Sequence, residues 1–426
     1  MTVADTYRLS TRYTDDSGTV FMTGLQALAR LPIEQLRADR LAGLQTAAFI
    51  SGYPGSPVGG YDGDLSRAIE QAPDLPIVLA PALNEEQAAT AVMGSQLASL
   101  RPDPRYDGVL GIFYGKAPGV DRAGDALRHA VFAGSDPRGG AVVIAGDDPA
   151  AKSSTIPSSS AGTLADKHIP VLYPGTPGEA LDLGRHAVYL SRATGLWTSL
   201  KIVADVADGS GTVQLDPRRV DPVIPTIDGE PYVHLPDGRL LTPETVDTER
   251  EIYEVRHPLA IEYAALNHLN HATVDPRDAW IGIVASGITY RELREALRRL
   301  GLGHDTEIAA AGIRLMCMHM PIPFSAQRSR HFARGLEEIF VVEEKQPNIE
   351  SLMKDALYNE PRRPRVTGKF DEHDAMLLPG HGGLSADDLL APLRRRLTDL
   401  PDLCDHLLGR IADDRGEPVK LSLIHI

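Results

Sequence analysis

Between residues 46 and 206 the chain alternates short apolar runs with stretches of helical periodicity. The apolar runs fall at 47–50, 76–80, 108–113, 141–145, 169–173 and 196–203. They lack the in/out alternation of a strand with one wet face, so they read as strands buried on both sides. Helix-length segments at 60–72, 85–100, 122–133 and 178–193 separate them. The pattern predicts an α/β domain over 46–206 with a doubly wound parallel sheet. Most of these strands end in a cluster of Gly, Pro or Asp, where open α/β sheets place their ligands.

The periodicity then weakens. Residues 207–277 are rich in Pro, Asp and Gly and predict a connector, with a hairpin near Asp237-Gly238 and a helix at 258–268. A second, smaller α/β unit is predicted over 278–360, with strands at 280–285, 307–311 and 339–343 and helices at 289–299 and 349–357. The alternation of Met316, Met318 and Met320 around Cys317 also fits a strand. From 361 to 426 the chain reads as a polar tail with one amphipathic helix at 385–397. Its last residues, 421–426, are apolar with no following turn, which reads as an edge strand or as a truncated chain, and we favour truncation. Residues 1–45 form an N-terminal segment without a secretory signal, and no run reaches transmembrane length, so the expected location is cytoplasmic.

Composition narrows the class. A chain of 426 residues is too long for one core, and 42% apolar with 24% charged residues is the balance of a globular protein. The formal charge of −15 argues against nucleic acid or an anionic membrane as the main partner. The two cysteines, Cys317 and Cys404, exclude a disulfide framework and a complete iron–sulfur ligand set within this chain.

Candidate chemistry sits in four strand-end loops. The most informative begins at Asn84-Glu85-Glu86, where a carboxylate opens an Ala-rich helix directly after an apolar run. A surface helix would continue with Lys and Arg, but this one stays small and apolar through Met93, so Glu85 or Glu86 is expected to point into a cleft. A carboxylate held there can do proton-transfer work. The same residue could instead be an acidic first turn that complements the helix dipole. The loop at 51–60 offers glycines for close backbone approach and the hydroxyls of Ser51 and Ser56, or it is only a tight turn. Lys116 and Arg122, in the loop at 114–122, could hold a carboxylate, Arg with bidentate geometry; equally, Arg122 could simply start a helix. Asp147, Asp148, Lys152 and the hydroxyls at 153–155 suit a polar ligand or an interdomain contact, and no third ligand accompanies the two carboxylates to make a metal site.

Taken in order, these loops resemble the N-terminal part of indolepyruvate ferredoxin oxidoreductase in its long, fused bacterial form. The resemblance is carried by Ser51-Gly52-Tyr53 with Gly55-Ser56-Pro57, Asn84-Glu85 with Ala88-Ala89-Thr90, and Tyr114-Gly115-Lys116 with Pro118-Gly119-Val120-Asp121-Arg122. It continues through Gly146-Asp147-Asp148 with Lys152-Ser153-Ser154-Thr155, and Val342-Glu343-Glu344-Lys345. It implies a thiamine diphosphate enzyme that decarboxylates arylpyruvates oxidatively with coenzyme A, giving an acyl thioester and carbon dioxide and passing electrons to ferredoxin. It further implies that 46–206 is the pyrimidine-binding domain, that 278–360 is transketolase C-terminal-like, and that the enzyme is a dimer.

In the family, the residue matching Glu85 hydrogen-bonds the pyrimidine ring nitrogen and so favours the tautomer that can take up the thiazolium proton. Ser51, Gly55, Ser56 and Asn84 are then expected around the cofactor, and Lys116 and Arg122 near the substrate. One departure is large. The diphosphate-binding domain that would hold magnesium through a Gly-Asp-Gly start and an Asn is missing, as are the cluster cysteines, which implies a fragment or one subunit that cannot turn over alone. Other readings are a different 2-oxoacid:acceptor oxidoreductase subunit or a non-catalytic α/β interaction module.

Overall fold

The computed structural model describes residues 8–397. They fall into two compact units. The first comprises the chain up to Asn270 together with Ser286–Ile288 and Met318–Ser325; the second comprises the remaining residues.

In the first unit the expected strands are present, three of them longer than expected and three shorter. They are β2 (Thr46–Gly52), β3 (Ile77–Leu79), β4 (Gly108–Lys116), β5 (Ala141–Asp147), β6 (Val171–Leu172) and β7 (Thr198–Val203). They form one sheet of order β3-β2-β4-β5-β7-β6 with every pairing parallel. β5 and β7 are buried at every position, which explains why their sequences show no alternation. Helices α1 (Gly24–Leu41), α2 (Tyr61–Glu70) and α7 (Pro177–Thr194) pack together, as do α3 (Glu85–Gln96), α4 (Ala117–Arg122) and α5 (Gly124–Ala133). A further short helix, α6 (Ala161–Asp166), precedes β6.

The N-terminal segment is integral to this unit. Strand β1 (Gly18–Thr23) pairs antiparallel with β8 (Ser210–Leu215), joining the segment to the start of the expected connector. Helix α1 opens with a capping box: Gln26 N–H donates to Thr23 Oγ1 at 3.2 Å, and Thr23 N–H donates to Gln26 Oε1 at 3.0 Å. Asp39, near its other end, is buried and takes both terminal nitrogens of Arg192 from α7 at 2.7 Å, plus Thr46 Oγ1 at 2.6 Å and Gln35 Nε2 at 2.8 Å. Burial alone would raise its pKa, but the bonds and charge of Arg192 outweigh it and hold Asp39 below the usual range.

The connector is pinned to the same unit. The expected hairpin at Asp237-Gly238 is not formed. A smaller one instead joins β9 (Thr226–Ile227) to β10 (Glu230–Pro231), with Asp228 and Gly229 at φ +53° and +87° as a two-residue turn needs. Helices α8 (Glu244–Glu251) and α9 (His257–Leu266) follow, joined by a π-helical turn at Ile252–Arg256. His234 accepts from Arg256 Nη2 at 2.8 Å, and His186 lies 3.0 Å from the Tyr263 hydroxyl. Burial, then the neighbouring guanidinium (Arg256 for one, Arg185 for the other), pushes each imidazole down to about 4. Both rings are therefore neutral in the fold, whereas the unfolded chain binds protons below about pH 6.5. Stability should fall as pH drops from 6.5 towards 4, by roughly 2 kcal/mol per histidine between pH 7 and pH 5. Equal denaturant midpoints at those two pH values would show that neither ring resists protonation.

The second unit is built on a five-stranded sheet of order β11-β13-β12-β14-β15, namely Asn270–Val274, Ile313–Met318, Ile281–Ala285, Glu338–Val342 and Arg365–Thr367. Strands β12 to β15 pair in parallel. The expected strand at 307–311 is instead a helix, α11 (Asp305–Ala310), after α10 (Gly287–Arg299); the strand starts at Ile313, past Gly312 at φ +67°. Asp305 and Glu307 in its first turn favour a helix, and Glu307 Oε2 receives the N–H groups of Gly303 and His304. Helices α12 (Ala326–Phe332) and α13 (Asn348–Leu357) follow. The segment beyond 361 contributes β15 and α14 (Ala386–Leu397), whose Leu389, Leu393 and Leu397 are buried in this unit's core. Arg396 donates to Glu338 of β14 from within that core. The apolar ending at 421–426 lies outside the described residues.

Candidate functional site

The order β3-β2-β4-β5 places the four candidate loops side by side at the carboxyl ends of adjacent strands. They touch. Ser51 Oγ donates to the Ala80 carbonyl at 2.7 Å, tying the end of β2 to the turn after β3. Tyr53 N–H donates to the Tyr114 carbonyl at 3.2 Å, and Ser56 and Ser153 share a hydrogen bond between hydroxyls. A methyl group on Gly55 would come within 2.9 Å of Lys116 Cδ, so these two loops approach as closely as a glycine allows.

Helix α3 starts at Glu85, capped by Asn84, whose Oδ1 accepts from Gln87 N–H at 2.9 Å. Glu85 is only 5% exposed, whereas Glu86 is turned to solvent. The Glu85 carboxylate accepts no hydrogen bond from any described residue. Its nearest cation is Arg122, with Nε 4.0 Å from Oε2. Beneath it lies Gly119 of α4, where a Cβ would stand 2.6 Å from Oε1. A nearly buried carboxylate without a donor is costly unless something else supplies one. Water or a ligand carrying a hydrogen-bond donor could supply it.

The expected site residues divide by what their polar atoms already do. The hydroxyl proton of Ser51 is committed to Ala80, and the carbonyl oxygen of Asn84 to its helix. Lys116, half-buried at the end of β4, has no hydrogen-bond or ion-pair partner among the described residues, so its ammonium is available to an anion. Arg122 faces Glu85 instead. The paired aspartates hold their own loop: Asp148 accepts from the N–H groups of Lys152, Ser153 and Ser154 at 2.8–2.9 Å, and Asp147 from Ser160 N–H at 3.0 Å, with Lys201 Nζ 3.7 Å away. Among the described residues no cluster of three His, Cys, Asp or Glu could hold a metal ion.

A family model described as the indolepyruvate ferredoxin oxidoreductase middle domain matches residues 270–401. The indolepyruvate oxidoreductase subunit IorA of Methanothermobacter marburgensis is 27% identical over 355 residues, covering 83% of this chain and 51% of the relative. The IorA subunit of Methanothermobacter thermautotrophicus is 25% identical, covering 90% and 57%. The chain is thus similar to IorA subunits over most of its length, and residues 270–401 match the indolepyruvate ferredoxin oxidoreductase middle domain. It spans about half the length of these curated relatives. The fold is shared with a 2-oxoglutarate:ferredoxin oxidoreductase from Magnetococcus marinus, at TM-score 0.64 and 14% identity over 89% of this chain and 66% of that one. A split-gene transketolase, described as an inactive beta4 tetramer, also shares it, at TM-score 0.51 and 14% identity over 88% and 98%.

The residue that sequence reasoning undervalued is Gly119. The sequence places Pro118-Gly119 in a loop, but both lie in helix α4, where Gly119 abuts the Glu85 carboxylate and leaves room for it. Among the described residues no helix is long and apolar enough to cross a membrane.

Proposed function

We propose that this chain is the pyrimidine-binding portion of a thiamine diphosphate-dependent 2-oxo acid:ferredoxin oxidoreductase, and that the whole enzyme acts on indolepyruvate or a related arylpyruvate with coenzyme A. One observation carries the reading: the carboxylate of Glu85 is buried at a helix start, lacks a donor, and stands over a glycine at the carboxyl edge of the sheet. Glu85 would bind the ring nitrogen and hold its proton. Gly55, with Ser51 and Ser56, would let the backbone approach the ring closely, and Asn84 would fix the helix that carries Glu85. Lys116 would take the carboxylate of the 2-oxo acid, a task its unpaired ammonium suits. When bound, thiamine diphosphate would supply the carbon nucleophile that a 2-oxo acid requires before it can lose carbon dioxide.

Magnesium and the diphosphate would be held by a part of the enzyme beyond these residues. Leu83 and Ile156, 86% and 58% exposed on the same loops, are apolar surface for that part to cover. Iron–sulfur clusters, ferredoxin docking, a dimeric assembly and a cytoplasmic location complete the proposal.

The test is a screen of 2-oxo acids on the intact natural protein with magnesium, thiamine diphosphate, coenzyme A and a viologen dye. Dye reduction that depends on coenzyme A and is fastest with an arylpyruvate is the expected result. Faster reduction with pyruvate or 2-oxoglutarate would move the enzyme to another branch. If the cofactor does not bind and no acid reduces the dye, the chain is a non-catalytic module.

A further inference from the structure

Arg122 and Glu85 pose a conflict that the proposed role of Glu85 leaves open. A guanidinium facing that carboxylate competes for the lone pairs a ring donor would use. The contact is loose: 4.0 Å exceeds hydrogen-bond range, and the Arg122 side chain is 59% exposed with no hydrogen bond to any described residue. The neighbouring charges are otherwise engaged or turned away. Asp121 accepts from Thr163 Oγ1 at 2.6 Å, Asp125 lies 3.5 Å from His129, and Glu86 faces solvent on the outer side of α3. Lys116 belongs to the preceding strand and makes no ion pair with Glu85. Arg122 is therefore the one described cation paired with Glu85, and it sits on α4, the same short helix whose Gly119 abuts the carboxylate.

We propose that Arg122 is a resident counter-ion, balancing Glu85 while the pocket holds no ring and yielding its place when a ring donor arrives. The inference rests on the reading of Glu85 given above. Its long, mostly wet side chain can swing into water without breaking any hydrogen bond, so the exchange is reversible. The pair stabilises the vacant pocket only, so it weakens cofactor binding by whatever it contributes. An ion pair this exposed on one side is modest, and removing it should tighten binding by roughly twofold to fivefold. Arg122 is thus a positioning residue for Glu85, distinct from a substrate contact.

The test titrates magnesium thiamine diphosphate into the intact natural protein and records both the dissociation constant and the absorbance change of the bound aminopyrimidine ring. Arg122→Gln should bind about twofold to fivefold more tightly, with the same ring spectrum as the unmodified protein. Arg122→Lys should restore the original affinity. Equal or weaker binding by Arg122→Gln, or an Arg122→Lys protein as tight as the Gln variant, would overturn the counter-ion role. Glu85→Gln should bind weakly and lose the ring signature; if it binds normally, the reading of Glu85 itself fails, whatever Arg122 does.

Discussion

On the proposed function, Glu85→Gln should lower 2-oxo acid turnover of the intact natural protein by about two to four orders of magnitude, the range expected when a positioned proton-handling group is removed. The amide fills the same space, so the pocket keeps its shape, but it cannot share a proton with a ring nitrogen. Stability should barely move. The change removes a charge at the first turn of α3, worth about 0.3–1 kcal/mol through the helix dipole, and also relieves a carboxylate that lacks a donor. Glu86→Gln, one residue along on the solvent face, is the control and should leave turnover close to normal. Turnover that survives Glu85→Gln but collapses in Glu86→Gln would mean that the helix presents the other carboxylate to the cofactor.

The second large effect is expected at Gly119. A Cβ there would stand 2.6 Å from Glu85 Oε1 and 2.8 Å from its Cγ, closer than non-bonded atoms tolerate, so the carboxylate must shift. A misplacement approaching 1 Å in a reacting geometry lowers a rate by about 100-fold, and we expect turnover in Gly119→Ala to fall by about that factor. The helix should not suffer, because Ala is favoured over Gly in a helix by about 1 kcal/mol. The decisive measurement is the double variant. If Gly119 acts through Glu85, then Glu85→Gln with Gly119→Ala should be no slower than Glu85→Gln alone. Fully additive losses would assign Gly119 a separate role.

The central sheet was legible in the sequence because strands buried on both faces leave continuous apolar runs, and the loops because each run stops at Gly, Pro or Asp. Glu85 stood out for a related reason: an acidic start followed by an apolar helix conflicts with a surface location. Other features left no local trace. Helix α1 contains Pro32, which lacks the N–H a helix interior uses, and carries Arg30, Glu34 and Asp39, which read as surface charges. Their burial is possible because they are paired: Asp39 with the distant Arg192, and Arg30 with Glu34 one turn along the same helix. The run at 307–311 was misread because a short apolar stretch without periodicity is ambiguous between helix and strand. The partners of Asp147 and Asp148 could not be inferred either, since a carboxylate that caps its own loop and one that awaits a ligand look alike in sequence.

The pairing of β1 with β8 has a consequence for how the protein is made. Residues 18–23 find their partner only at 210–215, so the polypeptide emerging from the ribosome cannot close this ladder until nearly two hundred further residues have been synthesised. Until then the nascent sheet lacks its tether to the first helix. A recombinant piece cut at residue 46 or at residue 206 would reproduce that unfinished state permanently, so such pieces should aggregate on expression where one spanning both strands stays in solution.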